Sequence, residues 1–180
     1  VANGTDTVAI GRLSGGSNSQ TITAVGAQAL RNNSGGAGNT AVGYSAGYSS
    51  GRESVFIGMS AGQGNQSTVY GNTYLGYQAG LADTGGYNIA IGHKANGYSS
   101  GSSASYQIYI GGGAGGGRTV PAGGMNRNGT IGIGLEAGAQ SGAFNQAPSS
   151  YDGPIFIGNF VGSRVQGQNN YNVGIGTCSF

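Results

Sequence analysis

The sequence predicts an all-β protein: a parallel β-roll or β-solenoid of about ten short coils, each turning at a glycine. A phrase of about ten residues recurs along the 180-residue chain, most clearly at 39–47 and 73–80. In almost every copy, β-branched residues stand one and three positions before a fixed glycine. A repeat this short cannot bury its own apolar side, so its copies must stack on one another.

Each predicted strand ends just before a fixed glycine, called the anchor glycine below. The anchor glycines are Gly11, Gly26, Gly43, Gly58, Gly76, Gly92, Gly111, Gly134, Gly158 and Gly176. Side chains two positions apart share one face of a strand, and β-branching suits a packed pleated surface. We therefore expect the branched aliphatic side chains to face a common interior that neighbouring chains help to close. No apolar stripe with helical spacing competes with this interpretation.

The anchor glycine predicts a tight corner, because glycine tolerates positive φ. Alanine follows three residues later in seven of the ten copies, which predicts a close approach to the next coil or to another chain. We expect a second short strand after this corner, and then a loop back.

Asparagine opens several predicted strands, at Asn39, Asn72, Asn88 and Asn172. Stacked coils would bring these amides together as hydrogen-bonded ladders. Asparagine also suits loop ends for purely local reasons, and both interpretations stay open.

The repeat predicts one domain over residues 1–180, with regular coils in 1–111 and coils with extended loops in 112–180. The spacing between anchor glycines widens around Gly111, Gly134 and Gly158, which leaves 112–130 and 138–154 as extra loop. Because the chain starts at Val1 rather than Met, we expect it to be a processed product or part of something longer.

Composition excludes several classes of protein. Charged residues make up 7% of the chain, and its basic residues are scattered, so nothing tracks the phosphates of a nucleic acid. No apolar run approaches the roughly 20 residues that cross a bilayer, so we expect no membrane insertion. A single cysteine leaves no internal disulfide framework. The regular β-branched pairs argue against disorder.

Catalytic and metal-binding patterns are incomplete. Gly-x-Ser-x-Gly occurs at 43–47, 47–51, 58–62 and 97–101, but a nucleophile elbow needs a strand–turn–helix, a histidine and an acid, and His93 is the one histidine. Calcium-binding rolls need an aspartate in every repeat, and one histidine with one cysteine is no transition-metal set. We expect no enzyme, metal or cofactor. A carboxylate pair for glycoside cleavage, drawn from Asp83, Glu136 and Asp152 across chains, stays open.

Eleven tyrosines and no tryptophan point to a binding surface. Tyr74 and Tyr109 fall within predicted strands, whereas others fall in turns or loops. A surface of Tyr, Ser, Gly and Asn gives rigid aromatic contacts beside adaptable hydrogen bonds and could hold sugar rings. The alternative is that tyrosine merely shields the exterior. The candidate binding residues are Tyr48, Tyr98, Tyr106, Arg118, Arg127, Phe144 and Tyr151.

The copies at 39–47, 74–80 and 88–95 resemble the YadA-like head repeats of trimeric autotransporter adhesins. They are still more similar to the tyrosine-rich form of that repeat in bacteriophage tail fibres. The resemblance covers most of the chain and departs from the pattern in the extended loops. It implies a left-handed parallel β-roll, three chains around one axis and attachment to a cell surface.

These observations together predict the attachment segment of a homotrimeric fibre. The foremost hypothesis is a bacteriophage tail fibre, carried on the virion, that contacts host-cell glycans or a surface protein. A thin core and open sheet ends also favour a permanent oligomer. The alternatives are a purely structural shaft segment, or the head of a bacterial adhesin on the outer surface of the cell. The sequence names neither host nor receptor.

Overall fold

The computed structural model describes residues 6–16, 21–33, 36–64, 70–97, 105–116, 128–139, 153–162 and 173–178. Ten strands of three residues each lie at the predicted positions. They are β1 (Val8–Ile10), β2 (Thr23–Val25), β3 (Thr40–Val42), β4 (Val55–Ile57), β5 (Thr73–Leu75), β6 (Ile89–Ile91), β7 (Ile108–Ile110), β8 (Ile131–Ile133), β9 (Ile155–Ile157) and β10 (Val173–Ile175).

The strands form one parallel sheet in sequence order, from β1 to β10. Because each strand pairs with the next one along the chain, the polypeptide climbs by one strand per rung. This arrangement is a β-solenoid, and no helix occurs within the described ranges. The prediction of an all-β parallel solenoid is confirmed.

Every strand pair is in register, so equivalent residues of the repeat form columns along the solenoid. In β3, β4 and β5, for example, Ala41 lies beside Phe56 and Phe56 beside Tyr74. We call the three strand positions the first, middle and last columns. A property of one repeat position therefore becomes a property of a whole side of the molecule.

The middle column fills the interior of the solenoid. Its fully buried members include Ala41, Phe56 and Tyr74, whereas Ile57 and Leu75 of the last column are 38% and 43% exposed. Strand side chains alternate between two faces, so the first and last columns point away from the middle one. The expectation that the branched aliphatic side chains fill an interior is therefore wrong for the chain's own solenoid, since they lie on its outside.

The predicted second strand after the corner is also absent from the described residues. These segments are turns, because the second and fourth residues after the anchor glycine have positive φ, as at Ser60 (57°) and Gly62 (61°). Left-handed backbone cannot continue an extended strand. The rungs stay joined here by single hydrogen bonds, such as that from the Ser60 amide to the Tyr44 carbonyl (2.9 Å).

The alanines three residues after the anchor glycine are fully buried within the solenoid. They are Ala29, Ala46, Ala61, Ala79, Ala95, Ala114 and Ala137. Of the two approaches left open by the sequence, the structure shows the one within the chain.

Two positions of a rung, the middle column and the fourth residue after the anchor glycine, contribute side chains to the interior. A Cβ added to Gly80 would lie 2.3 Å from the Tyr74 ring, so the large middle residue requires glycine four residues after the anchor. Where the middle residue is Ala24, the equivalent position holds a fully buried Leu30. Rungs that are small at both positions leave room for rings of the neighbouring rungs: a Cβ added to Gly132 would lie 2.9 Å from the Tyr109 ring, and one added to Gly138 would lie 3.1 Å from the Phe156 ring.

The anchor glycines turn the corner as predicted, with φ between 126° and 139°. They also form a column of close backbone contacts. A Cβ added to Gly58 would lie 2.4 Å from the carbonyl oxygen of Gly76 in the next rung. Any side chain there would push two rungs apart.

A ladder runs over five rungs at the predicted position, but its hydrogen bonds join backbone amides to side-chain oxygens rather than the side-chain amides to one another. The Ser54 amide donates to Asn39 Oδ1 (3.0 Å), and the Asn88 amide donates to Asn72 Oδ1 (2.8 Å). The intervening and following links are Asn72 N to Ser54 Oγ (3.1 Å) and Gln107 N to Asn88 Oδ1 (2.9 Å). Each side chain thus satisfies a buried backbone donor of the next rung. Asn172 lies outside the described residues.

Candidate functional site

The first and last columns form an apolar outer face that runs along all ten strands. Its exposed members are Val8, Ile10, Val42, Ile57, Leu75, Ile89, Ile110, Ile133, Ile157, Val173 and Ile175, and its other residues are half-buried. Neither column contains a charged residue. A contiguous, uncharged surface of this kind is typical of interaction sites, which makes this face a candidate.

An adjoining column, one residue past the anchor glycine, adds exposed aromatic and apolar side chains. Tyr44, Met59 and Tyr77 are exposed there, and the ring of Tyr77 stacks on His93 with centroids 5.2 Å apart. Aromatic and methionine side chains are enriched at protein interfaces. The column also contains the exposed Arg12 and His93, so it borders the apolar outer face with a mixed aromatic and polar edge.

Two of the seven predicted binding residues lie within the described residues. Tyr48 is half-buried, and the guanidinium carbon of Arg31 lies 5.8 Å from the centroid of its ring. Tyr106 is 52% exposed. Strands β4, β5 and β6 separate Tyr48 from Tyr106 along the chain, so the structure does not bring them together. The other candidates, Tyr98, Arg118, Arg127, Phe144 and Tyr151, lie outside the described residues.

Tyr106 stacks instead on Tyr87, which sequence reasoning missed. The two rings are nearly parallel, with an interplanar angle of 5° and centroids 5.2 Å apart, and Tyr87 is 53% exposed. Each tyrosine stands two residues before a strand, ahead of β6 and β7. That common offset was visible in the sequence and, with in-register stacking, would have predicted the pair.

Both tyrosines occupy a corner where the backbone is left-handed. We call this position, two residues before each strand, the corner column. The φ angles of Tyr87 and Tyr106 are 58° and 61°, and the column holds glycine at Gly38, Gly71 and Gly129. A left-handed conformation costs a bulky L-residue about 1–2 kcal/mol relative to glycine. The tyrosines therefore stand where the local backbone favours glycine.

A buried carboxyl group lies inside the solenoid at Asp83. Its Oδ2 accepts hydrogen bonds from the Tyr74 hydroxyl, Asn88 Nδ2 (2.9 Å) and Asn96 Nδ2 (2.8 Å). Its Oδ1 accepts one from the Gly85 amide (2.9 Å). Burial raises the pKa of Asp83 to about 6, against the opposing effect of these donors, and burial also raises the pKa of the Tyr74 hydroxyl.

This geometry gives Asp83 a structural role. The carboxyl group is fully buried in its own chain, so it does not face a second chain as a paired glycosidase carboxylate would. Of its proposed companions, Glu136 is half-buried and Asp152 lies outside the described residues.

The Gly-x-Ser-x-Gly matches at 43–47 and 58–62 are corners of the repeat. Ser45 and Ser60 have left-handed φ angles of 52° and 57°, and Ser45 Oγ donates to Gln28 Oε1 at 3.4 Å. Neither serine lies in the strand–turn–helix of a nucleophile elbow. Within the described residues, no three His, Cys, Asp or Glu side chains cluster as a metal site would require.

The described part of the chain also has no helix of sufficient length and apolar character to span a bilayer. Comparison with family models, with curated proteins and with solved structures gives no match to this chain.

Proposed function

We propose that this chain is the attachment segment of a homotrimeric fibre, a bacteriophage tail fibre on the virion that contacts glycans on the host cell. The observation that carries the proposal is the apolar outer face, which extends over every strand without a charge. A face of this length on a thin solenoid needs a partner of equal length, and a second and third copy of the chain supply one.

The number of chains follows from the resemblance to adhesin head repeats. Cyclic symmetry also keeps all chains pointing in one direction, as a fibre with one attachment end requires. Each solenoid would keep its own interior, because the middle column is already buried within one chain. The chains then meet through the first and last columns.

Attachment, rather than support alone, is favoured by aromatic side chains that serve neither the interior nor the apolar outer face. Tyr87 and Tyr106 are both about half exposed at a left-handed corner that glycine fills in three described rungs and Asp6, Thr21 or Glu53 fills in three others. A purely structural shaft would not require exposed tyrosines at these positions. Exposed tyrosine among serine, glycine and asparagine is typical of recognition surfaces.

The test is binding of the labelled chain to whole cells of a panel of bacterial strains, to their purified surface polysaccharides, and to immobilised animal extracellular matrix. Binding to a subset of the bacterial strains, inhibited by the matching polysaccharide, is the expected result. Binding to the matrix alone would replace the proposal with the head of a bacterial adhesin. Binding to none of these would leave a structural shaft.

A further inference from the structure

We infer that Tyr87 and Tyr106, with the polar side chains of Ser105 and Asn128 beside them, form a platform that binds a neutral pyranose sugar. The inference rests on the proposed attachment function and names its site and ligand class. We call this group of four residues the tyrosine platform.

The fold does not need tyrosine at these positions. Gly38, Gly71 and Gly129 make the same left-handed corner with no side chain. Neither ring contributes to the interior, since about half of each is exposed. Residues that break a local backbone preference without serving the core are those expected at functional sites.

The rings are held in one orientation before any ligand arrives. Tyr87 lies against the glycine of the preceding rung, where a Cβ added to Gly71 would be 2.7 Å from its Cδ1. Tyr106 stacks on Tyr87 with an interplanar angle of 5°. A ligand that contacts these rings therefore loses little affinity to side-chain ordering, which favours binding.

The chemistry of the platform matches a sugar ring. Tyr87 covers one face of the Tyr106 ring, so the opposite, electronegative face of Tyr106 is the one that attracts the C–H groups on one side of a pyranose. The tyrosine hydroxyl both donates and accepts hydrogen bonds, as sugar hydroxyls do. Stacking and edge hydrogen bonds can thus act on the same ligand.

Neutral polar groups lie next to the tyrosines along the chain and in the following rung. The Ser105 amide donates to Asn128 Oδ1 (2.8 Å), and Ser105 Oγ accepts from the Gly86 amide (3.1 Å). These hydrogen bonds join the rungs that contain Ser105 and Asn128 to the rung that contains Tyr87. Hydroxyl and amide groups there suit the hydroxyls of a sugar.

The described residues around the two rings favour a neutral ligand. Residues 84–88, 105–107 and 128–130, which flank the corner in these three rungs, include no charged side chain; Asp83 is fully buried, and Arg127 lies outside the described residues. An anionic sugar would gain nothing from such a surface, because charge-assisted hydrogen bonds require a cationic or strongly polarised donor. A neutral hexose or N-acetylhexosamine fits the platform.

The experiment compares three proteins: the wild-type chain, the double variant Tyr87→Gly/Tyr106→Gly, and the control Glu53→Gly. Glu53 is exposed, occupies the same corner column and has a φ of 55°, so its replacement relaxes the same backbone without touching the rings. Each protein is titrated with a panel of neutral oligosaccharides of glucose, galactose, mannose and N-acetylglucosamine, and with sialylated oligosaccharides. Mass in solution and thermal unfolding are measured in parallel.

The wild-type chain and Glu53→Gly are expected to bind a neutral oligosaccharide equally. The double variant should lose at least about tenfold in affinity, as the loss of one good contact implies, while keeping its mass and losing no thermal stability, since glycine relieves the left-handed strain at both positions. Unchanged affinity in the double variant would overturn the platform and leave attachment intact. So would a preference for the sialylated ligands, or a loss of oligomer in the double variant. If the wild type binds neither sugars nor cells, the attachment function itself fails.

Discussion

Asp83 shows at the residue scale how this solenoid builds its interior. A carboxylate is an acceptor only, and Tyr74, Asn88, Asn96 and Gly85 all direct donors at it. Asn96 is there because its rung has the small Ala90 in the middle column, which leaves room for a side chain four residues after the anchor glycine. One polar cluster thus replaces the aromatic ring of other rungs.

Replacing Asp83 with Asn should destabilise the protein by about 1–3 kcal/mol, since the new amide puts a donor against donors whichever way it turns. Thermal and denaturant unfolding at fixed chain concentration would measure the change. Asp6→Asn is the matched control, because Asp6 is exposed and its replacement should be nearly neutral. Equal stability of both variants would contradict the described network.

The pH dependence of stability follows from the same group. The folded pKa of about 6 lies above the ordinary value of 3.8, so between these values the folded state binds more protons than the unfolded state. The contribution of Asp83 to stability is therefore fully present below about pH 4 and is lost as the pH rises through 6. The stability difference between wild type and Asp83→Asn should narrow from pH 4.5 to pH 7. A stability difference that widens as the pH rises would contradict the predicted direction of this dependence.

At the scale of elements, the glycines differ in how much a side chain at their position would destabilise the rung. Gly80 combines a φ of 62° with contact against the buried Tyr74 ring, whereas Gly64 has a φ of 88° with its nearest neighbour 3.7 Å from an added Cβ. Backbone strain acts at both positions, and overpacking acts only at the first.

Gly80→Ala should therefore cost about 2–4 kcal/mol, from left-handed strain and overpacking together. Gly64→Ala should cost about 1–2 kcal/mol from strain alone. The free energy of unfolding of the two variants separates these effects. Similar losses would show that the contact between Gly80 and Tyr74 carries no weight.

The sequence was sufficient to place the strands and their register. All ten strands fall where β-branched residues precede a glycine, and the asparagine ladder lies where Asn39, Asn72 and Asn88 predicted it. Regular repetition makes this possible, because one local rule applies to every rung.

Two features could not be predicted in the same way: which face of each strand lies inside, and the conformation of the segment after the corner. Alternation along a strand defines two faces but does not say which is inside. The decision depends on volume, since the narrow interior admits Ala41 or a flat Phe56 ring, packed against glycine. Left-handed φ at ordinary residues such as Ser60 and Gln78 left no signal in the sequence. Of the stacked pair, the sequence predicted Tyr106 as a binding residue. Tyr87 is recognised only when equivalent positions of neighbouring rungs are seen to form a column.

For the whole molecule, the proposed assembly depends on the apolar outer face. Leu75→Asp places a charge in the middle of this face, and burial against other chains would cost the lost apolar contact, about 1.5–3 kcal/mol, plus desolvation of the carboxylate. The variant should dissociate at chain concentrations where the wild type does not, as followed by light scattering. Asn32→Asp adds the same charge at an exposed turn and should leave association unchanged. Dissociation of both, or of neither, would contradict the role of the face.

The most direct measurement is the mass of the wild-type chain in solution by analytical ultracentrifugation at micromolar concentration. Three chains of 17.6 kDa give about 53 kDa, and a single stable species of that mass is the predicted result. A monomer of 17.6 kDa would mean that branched aliphatic side chains along ten strands remain in water, and would contradict the account.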